Sequence, residues 1–280
     1  MNLDRIEEFL EDIKPEEQYN NFLKDKRVAI VGPSKHMLLS QDGKNIDSYD
    51  VVVRLKWLPL KNHNPFLKYI GSKTDVMYSS VLNDQSDFKI LSECGVRHSR
   101  HPVGKIGIKP SLDKFKDVLI GVYSSEEYAF LLKEYSMENG YVADKIANIN
   151  SKSPYAIWPQ LGFNAIMEAI ASDASEVYIT GCTMYHGGGH MLQKNKPVSH
   201  NKTIVEKHNG VLETLILIDA ITQIETNNKR IVLDPVLTKI LNAYRHLDLG
   251  NTSPTGRKEI FTSTMTKLSD EVNNLIKDLK

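Results

Sequence analysis

Arg27-Val-Ala-Ile-Val-Gly32 is an unbroken apolar run that stops at a glycine. A strand buried on both faces of a parallel sheet reads this way, because no position along it has to meet water. Outward from it, Asp50-Val-Val-Val-Arg-Leu55 predicts a second strand of the same kind, Thr74-Asp-Val-Met-Tyr78 a third and Lys116-Asp-Val-Leu-Ile-Gly-Val122 a fourth. Glu176-Val-Tyr-Ile-Thr-Gly181 and Arg230-Ile-Val-Leu233 add two more. Helical segments fall between them, at Ser124 to Tyr135, Gly162 to Ser172 and Val211 to Glu225. Strands alternating with helices specify an α/β fold: a Rossmann-like, mostly parallel sheet with helices on both faces.

The flanks are helical. Leu3, Ile6, Phe9, Leu10 and Ile13 recur at helical spacing ahead of the first strand. From Leu249 a loop leads into an amphipathic helix through Leu268, Val272, Leu275 and Leu279. No internal repeat or low-complexity linker interrupts the chain. It divides into a helical segment at 1–25, one α/β domain at 26–245 and a C-terminal loop and helix at 246–280. The polar stretch 183–207 carries Gly187-Gly188-Gly189 and few apolar anchors, which predicts a lid that orders over a ligand.

Composition narrows the function. Among 280 residues, 41% are apolar and 25% charged, ordinary for a chain that buries a full core. Lys plus Arg and Asp plus Glu both number 35, and this balance argues against a general nucleic-acid binder. Cys94 and Cys182 are too few and too distant for a zinc site or a disulfide framework, and they suit a reducing compartment. The start of the chain is acidic and amphipathic, unlike a signal peptide. No stretch is long and apolar enough to span a bilayer, so a cytoplasmic location is expected.

Three segments carry candidate chemistry. Gly32-Pro33-Ser34 forms the first βα turn, where a glycine lets a ligand approach the backbone and Ser34 offers a hydroxyl. It lacks the second glycine of a dinucleotide fingerprint and is no P-loop, so an ordinary tight turn is the competing reading. Pro159-Gln160-Leu161-Gly162 opens a helix, whose N–H groups and dipole suit a phosphate; a proline ahead of a helix is the plain alternative. His186, His190, His200 and His208 gather before Glu213. Histidine is the usual side chain to take a proton from a sugar hydroxyl near neutral pH, and any one of these four also reads as a solvated loop residue. Neither His-Glu-x-x-His nor Asp-x-Asp occurs, so no metal is expected.

Taken together, these pieces resemble the sialyltransferases, above all glycosyltransferase family 29. Val28-Ala-Ile-Val-Gly-Pro-Ser34, Ile46-Asp-Ser-Tyr-Asp-Val-Val-Val-Arg54 and Gly71-Ser-Lys-Thr74 are similar to that family's large motif in order and spacing. Pro159-Gln-Leu-Gly162 with Glu176 to Gly181 resembles its small motif, and His208-Asn-Gly-Val-Leu-Glu213 its His-x-x-x-x-Glu motif. Gly181-Cys-Thr-Met-Tyr185 is similar to bacterial family 42, where a tyrosine there contacts the nucleotide phosphate. The resemblance spans roughly residues 26–235.

The resemblance implies a sialyltransferase-type GT-A variant that takes a CMP-activated sugar and a glycan acceptor, needs no metal and inverts the anomeric centre. It implies that Gly32, Pro33, Ser34, Arg54, Lys56, Ser79, Gln160, Leu161, Gly162, Gly181 and Tyr185 surround the donor. His208 would be the general base with Glu213 supporting it, and His200 the family's other functional histidine. Transfer of sialic acid leads. A CMP-Kdo-type transferase and a non-catalytic nucleotide- or glycan-binding protein on the same fold are the alternatives. The oligomeric state stays open.

Overall fold

A computed structural model describes residues 3–55, 65–79, 91–102, 119–123, 159–191, 209–225, 229–277 and 279. Two helices, α1 (Leu3–Asp12) and α2 (Glu17–Leu23), precede strand β1 (Arg27–Val31). A 3₁₀ turn (Lys35–Leu39) and α3 (Gly43–Asp47) lead to β2 (Val51–Leu55), then α4 (Leu67–Ile70) and β3 (Val76–Tyr78). Strands β4 (His98–Pro102) and β5 (Leu119–Tyr123) follow. Helix α5 (Leu161–Ala171), β6 (Glu176–Thr180), α6 (Gly210–Glu225), β7 (Arg230–Leu233), α7 (Pro235–Arg245) and α8 (Pro254–Leu275) complete the described elements.

The seven strands form one sheet in the order β5-β4-β3-β2-β1-β6-β7, and every neighbouring pair is parallel. β1 sits inside it, with Val28 beside Val51 on one side and Val177 on the other. Alternation decides the layers. Val28, Ile30, Val51, Val53, Val177 and Ile179 point to one face and meet α1, α5 and α6. Ala29, Val31, Val52 and Tyr178 point to the other and meet Met37, Ile46 and Ile70 of the 3₁₀ turn, α3 and α4, and Tyr49 ahead of β2. Each valine, isoleucine or methionine among them contributes about 1.5–3 kcal/mol when fully buried. The apolar runs of β1, β2 and β6 therefore answer to burial on both faces.

Several elements differ from the sequence expectation. β3 starts at Val76, because Thr74 and Asp75 are committed to side-chain bonds: Asp75 Oδ2 accepts from the Val52 amide at 2.8 Å, and Thr74 Oγ1 accepts from Arg54 Nε at 2.9 Å. β4 was not anticipated, since His98-Ser-Arg-His-Pro102 has no apolar run. It forms because Arg100 finds carboxylates at both ends: Glu168 of α5 and Glu16 ahead of α2. The Arg100 guanidinium also lies 4.3 Å over the Tyr19 ring, and the Tyr78 hydroxyl donates to Glu168. Helix α7 was not anticipated either, although Asp234 caps it by accepting from the Leu237 amide at 2.8 Å with Pro235 in the first turn. In α8, Leu268 and Val272 are buried as expected, but Leu275 is 49% exposed. The helix read at Ser124 to Tyr135 lies outside the described residues.

Candidate active site

The strand order reverses at β1: the chain builds outward through β2 to β5 on one side, then returns to add β6 and β7 on the other. Crevices at the carboxyl ends of strands beside such a reversal are where α/β proteins bind ligands. Here the turn after β1 meets the turn after β6 backbone to backbone. A Cβ on Gly32 would lie 2.2 Å from the Gly181 carbonyl oxygen, and one on Gly181 (φ +70) 2.5 Å from that of Gly32. Only glycine fits at either position. The Ser34 amide donates to Gly181 O at 3.1 Å, which locks the two turns together.

The segment 183–191 is zipped to the first turn. The Lys35 amide donates to Gly188 O at 3.0 Å, and the Met191 amide to Pro33 O at 2.8 Å. The expectation of a polar stretch with few anchors does not hold for these nine residues: Met184 and Met191 are buried, and so is His186. The His186 ring is satisfied at Nδ1 by Thr183 O (3.0 Å) and at Nε2 by the Tyr244 hydroxyl (2.8 Å). Burial lowers its pKa to about 4, so it sits neutral inside the protein. Residues 192–207 of the expected lid lie outside the described residues.

Met184 (φ 44) and Tyr185 (φ 61) occupy left-handed backbone without being glycine. Each such residue costs on the order of 1–3 kcal/mol and persists only where its surroundings enforce it. Here the buried Met184 side chain and the bond from the His186 amide to Thr183 O (2.7 Å) do so. The strained pair sets Tyr185 near Glu213: burial first, then the Glu213 charge, pushes the Tyr185 hydroxyl above its ordinary pKa.

Glu213 stands in the first turn of α6, fully buried. Its Oε1 accepts from the Gln160 amide, 2.8 Å away, at the N-cap of α5. Its Oε2 has no hydrogen-bond partner among the described residues. Burial drives the carboxyl well above its ordinary pKa, opposed only by Gln160. The helix mouth read as a phosphate site therefore already holds a carboxyl group on one of its amides. Leu161 and Gly162 form the first turn of α5 behind it.

The remaining candidates separate by location. Ser34 Oγ lies 2.9 Å from His36 Nδ1, and His36 Nε2 lies 2.9 Å from Asp234 Oδ2. Neither His36 nor Asp234 was singled out in the sequence. The capping Asp234-Pro235 pair is a legible signal, but nothing local ties it to a residue 198 positions earlier. Arg54 is fully buried and donates to the Ile70 and Lys73 carbonyls and to Thr74, holding the turn that enters β3. Burial lowers its pKa to about 10. Ser79 follows β3, its amide donating to Arg100 O at 3.1 Å. Lys56, His200 and His208 lie outside the described residues.

A parallel sheet with two glycine turns meeting at its reversal point defines the class by fold: an α/β protein of the kind whose ligands sit at the carboxyl ends of the strands. Residues 2–101 match the family model of glycosyltransferase family 29 (sialyltransferase), so over that stretch, which includes β1 to β3 and all but the last residue of β4, the chain is similar to a sialyltransferase. No curated protein sequence matches it. Among solved structures, it is similar to a mammalian sialyltransferase in complex with Gal-beta-1-3GalNAc-ortho-nitrophenol, with 16% identity over 83% of this chain and 79% of that one and a TM-score of 0.41. It is also similar to the sialyltransferase CstII from Campylobacter jejuni in complex with CMP-3FNeuAc (15% identity, 74% and 80% covered, TM-score 0.42). A third is the monofunctional alpha-2,3-sialyltransferase Cst-I from Campylobacter jejuni (15% identity, 89% and 96% covered, TM-score 0.44). No helix among the described residues is long and apolar enough to cross a membrane.

Proposed function

We propose that this chain is a CMP-sugar-dependent glycosyltransferase that moves sialic acid from CMP-sialic acid to a sugar hydroxyl, inverting the anomeric centre and needing no divalent metal. The observation that carries it is the family match over residues 2–101, the stretch that builds the glycine turn at the sheet's reversal point. Cytidylate is a good leaving group, so catalysis needs base assistance, stabilisation of the departing phosphate and positioning. The Gly32 and Gly181 turns form the floor of the donor site. The amides of the first turn of α5, with Tyr185, face the phosphate. His208, five residues before the buried Glu213, takes the proton from the acceptor hydroxyl, and Glu213 orients its ring.

Turnover of CMP-sialic acid, with CMP-Kdo run beside it and EDTA in a parallel sample, tests the donor and the metal. Replacement of His208 tests the base. General-base assistance is worth roughly a hundred- to ten-thousand-fold, so His208→Ala lowers kcat by about that factor and leaves CMP affinity nearly unchanged. Full activity in His208→Ala with a matching loss in His200→Ala transfers the role to His200. Loss of turnover in EDTA that manganese restores overturns the metal-free mechanism.

A further inference from the structure

Asp234, His36 and Ser34 make a buried hydrogen-bonded chain that no step of the proposed transfer uses. The three residues are 4%, 5% and 5% exposed. Both ring nitrogens of His36 are engaged at 2.9 Å, Nε2 with Asp234 Oδ2 and Nδ1 with Ser34 Oγ, so the ring has one orientation. Asp234 branches: Oδ2 also accepts from the Gly181 amide and Oδ1 from the Leu237 amide, each at 2.8 Å. Burial raises its pKa, but His36 and the two amides outweigh that and hold the carboxyl below its ordinary range. Asp234 is therefore ionised, and Nε2 carries the proton that binds it.

At the other end, Ser34 Oγ sits against the triglycine turn. It lies 3.4 Å from Gly188 O, and a Cβ on Gly188 (φ +88) would fall 2.3 Å from it. The Gly188 amide in turn donates to Asn273 Oδ1 of α8 at 3.1 Å. The chain thus runs from the cap of α7, through the turns after β6 and β1, to the triglycine turn and the C-terminal helix. A nucleophilic triad does not fit this arrangement, because Ser34 is enclosed by the Gly188 backbone and leaves no room for a substrate.

We propose that His36 is a positioning residue: it latches the turns after β1 and β6 and the triglycine turn into the arrangement that receives the nucleotide. This rests on the CMP-site reading above. His36 acts through Ser34 and Asp234, which no other side chain among the described residues connects.

The test compares wild type, His36→Ala and His36→Gln in two measurements, amide hydrogen exchange of the free protein and calorimetric titration with CMP. The glutamine amide reaches the Nε2 position, so it keeps the Asp234 bond and loses Ser34. Both variants should exchange faster, by about tenfold for one lost buried hydrogen bond, at the Lys35 and Met191 amides. Val177 in β6 should stay as protected as in wild type. His36→Gln should retain protection at Gly181, and His36→Ala should lose it. CMP affinity should fall about tenfold in both, since each breaks the link to Ser34. Unchanged exchange at Lys35 and Met191, or CMP affinity within twofold of wild type despite loosened turns, overturns the proposal. If His36→Ala does not fold, His36→Gln decides alone. If wild type binds no CMP, the nucleotide reading fails, and the exchange data still judge the latch.

Discussion

Glu168 and Glu213 are buried glutamates on the packed helices α5 and α6, and they live in opposite surroundings. Glu168 is enclosed by its partners: Arg100 pairs with Oε1 and the Tyr78 hydroxyl donates to Oε2. Burial still lifts its pKa, but Arg100 and Tyr78 oppose the lift. Glu213 has one backbone amide on Oε1 and, among the described residues, no hydrogen-bond partner on Oε2, so burial dominates. Buried polar atoms are nearly always satisfied. The Glu168 carboxylate is closed by Arg100 and Tyr78, whereas Glu213 keeps one carboxyl oxygen without a hydrogen-bond partner among the described residues.

The largest effect expected from this comparison is on stability. Glu168→Ala leaves Arg100 buried without its main counter-charge, and breaking a buried pair from one side costs about 3–5 kcal/mol. Urea unfolding of the variant measures it. A loss below about 1 kcal/mol, the usual worth of an exposed pair, contradicts a closed core network.

Glu213→Gln should act in the opposite sense on stability. In the unfolded chain this carboxyl loses its proton near its ordinary pKa of 4.5, while the folded protein keeps it to a much higher pH. Between those values the folded state binds more protons, so wild-type stability falls as pH rises. Glutamine keeps an acceptor for the Gln160 amide and removes the titration. The variant should therefore match wild type below about pH 4.5 and exceed it as pH rises above that, while turnover drops because the base is no longer oriented. Parallel melting curves across that pH range check the sign. A variant less stable than wild type at pH 8 would show that Glu213 is held ionised by a partner.

What the sequence disclosed follows the same line. β1, β2 and β6 were legible because burial on both faces writes itself as an apolar run, and glycines 32 and 181 marked the turns that meet. β4 was not, because its centre is Arg100, made tolerable by Glu16 and Glu168, 84 and 68 residues away. The Ser34–His36–Asp234 chain was hidden for the same reason, being closed across 198 positions. His186 read as a loop histidine and proved a core residue, because its partner Tyr244 lies on a helix 58 residues later. Glu213 was singled out from its spacing to His208, and only the fold shows that its carboxyl sits on the mouth of α5.

What remains to be tested is whether the carboxyl-end face of the sheet, at the β1–β6 reversal, binds cytidine monophosphate. Calorimetric titration of the intact protein with CMP, UDP and NAD tests it most directly. CMP should bind saturably at one site, and UDP and NAD should not bind at the same concentrations. Binding of UDP or NAD by a protein that does not bind CMP would contradict it.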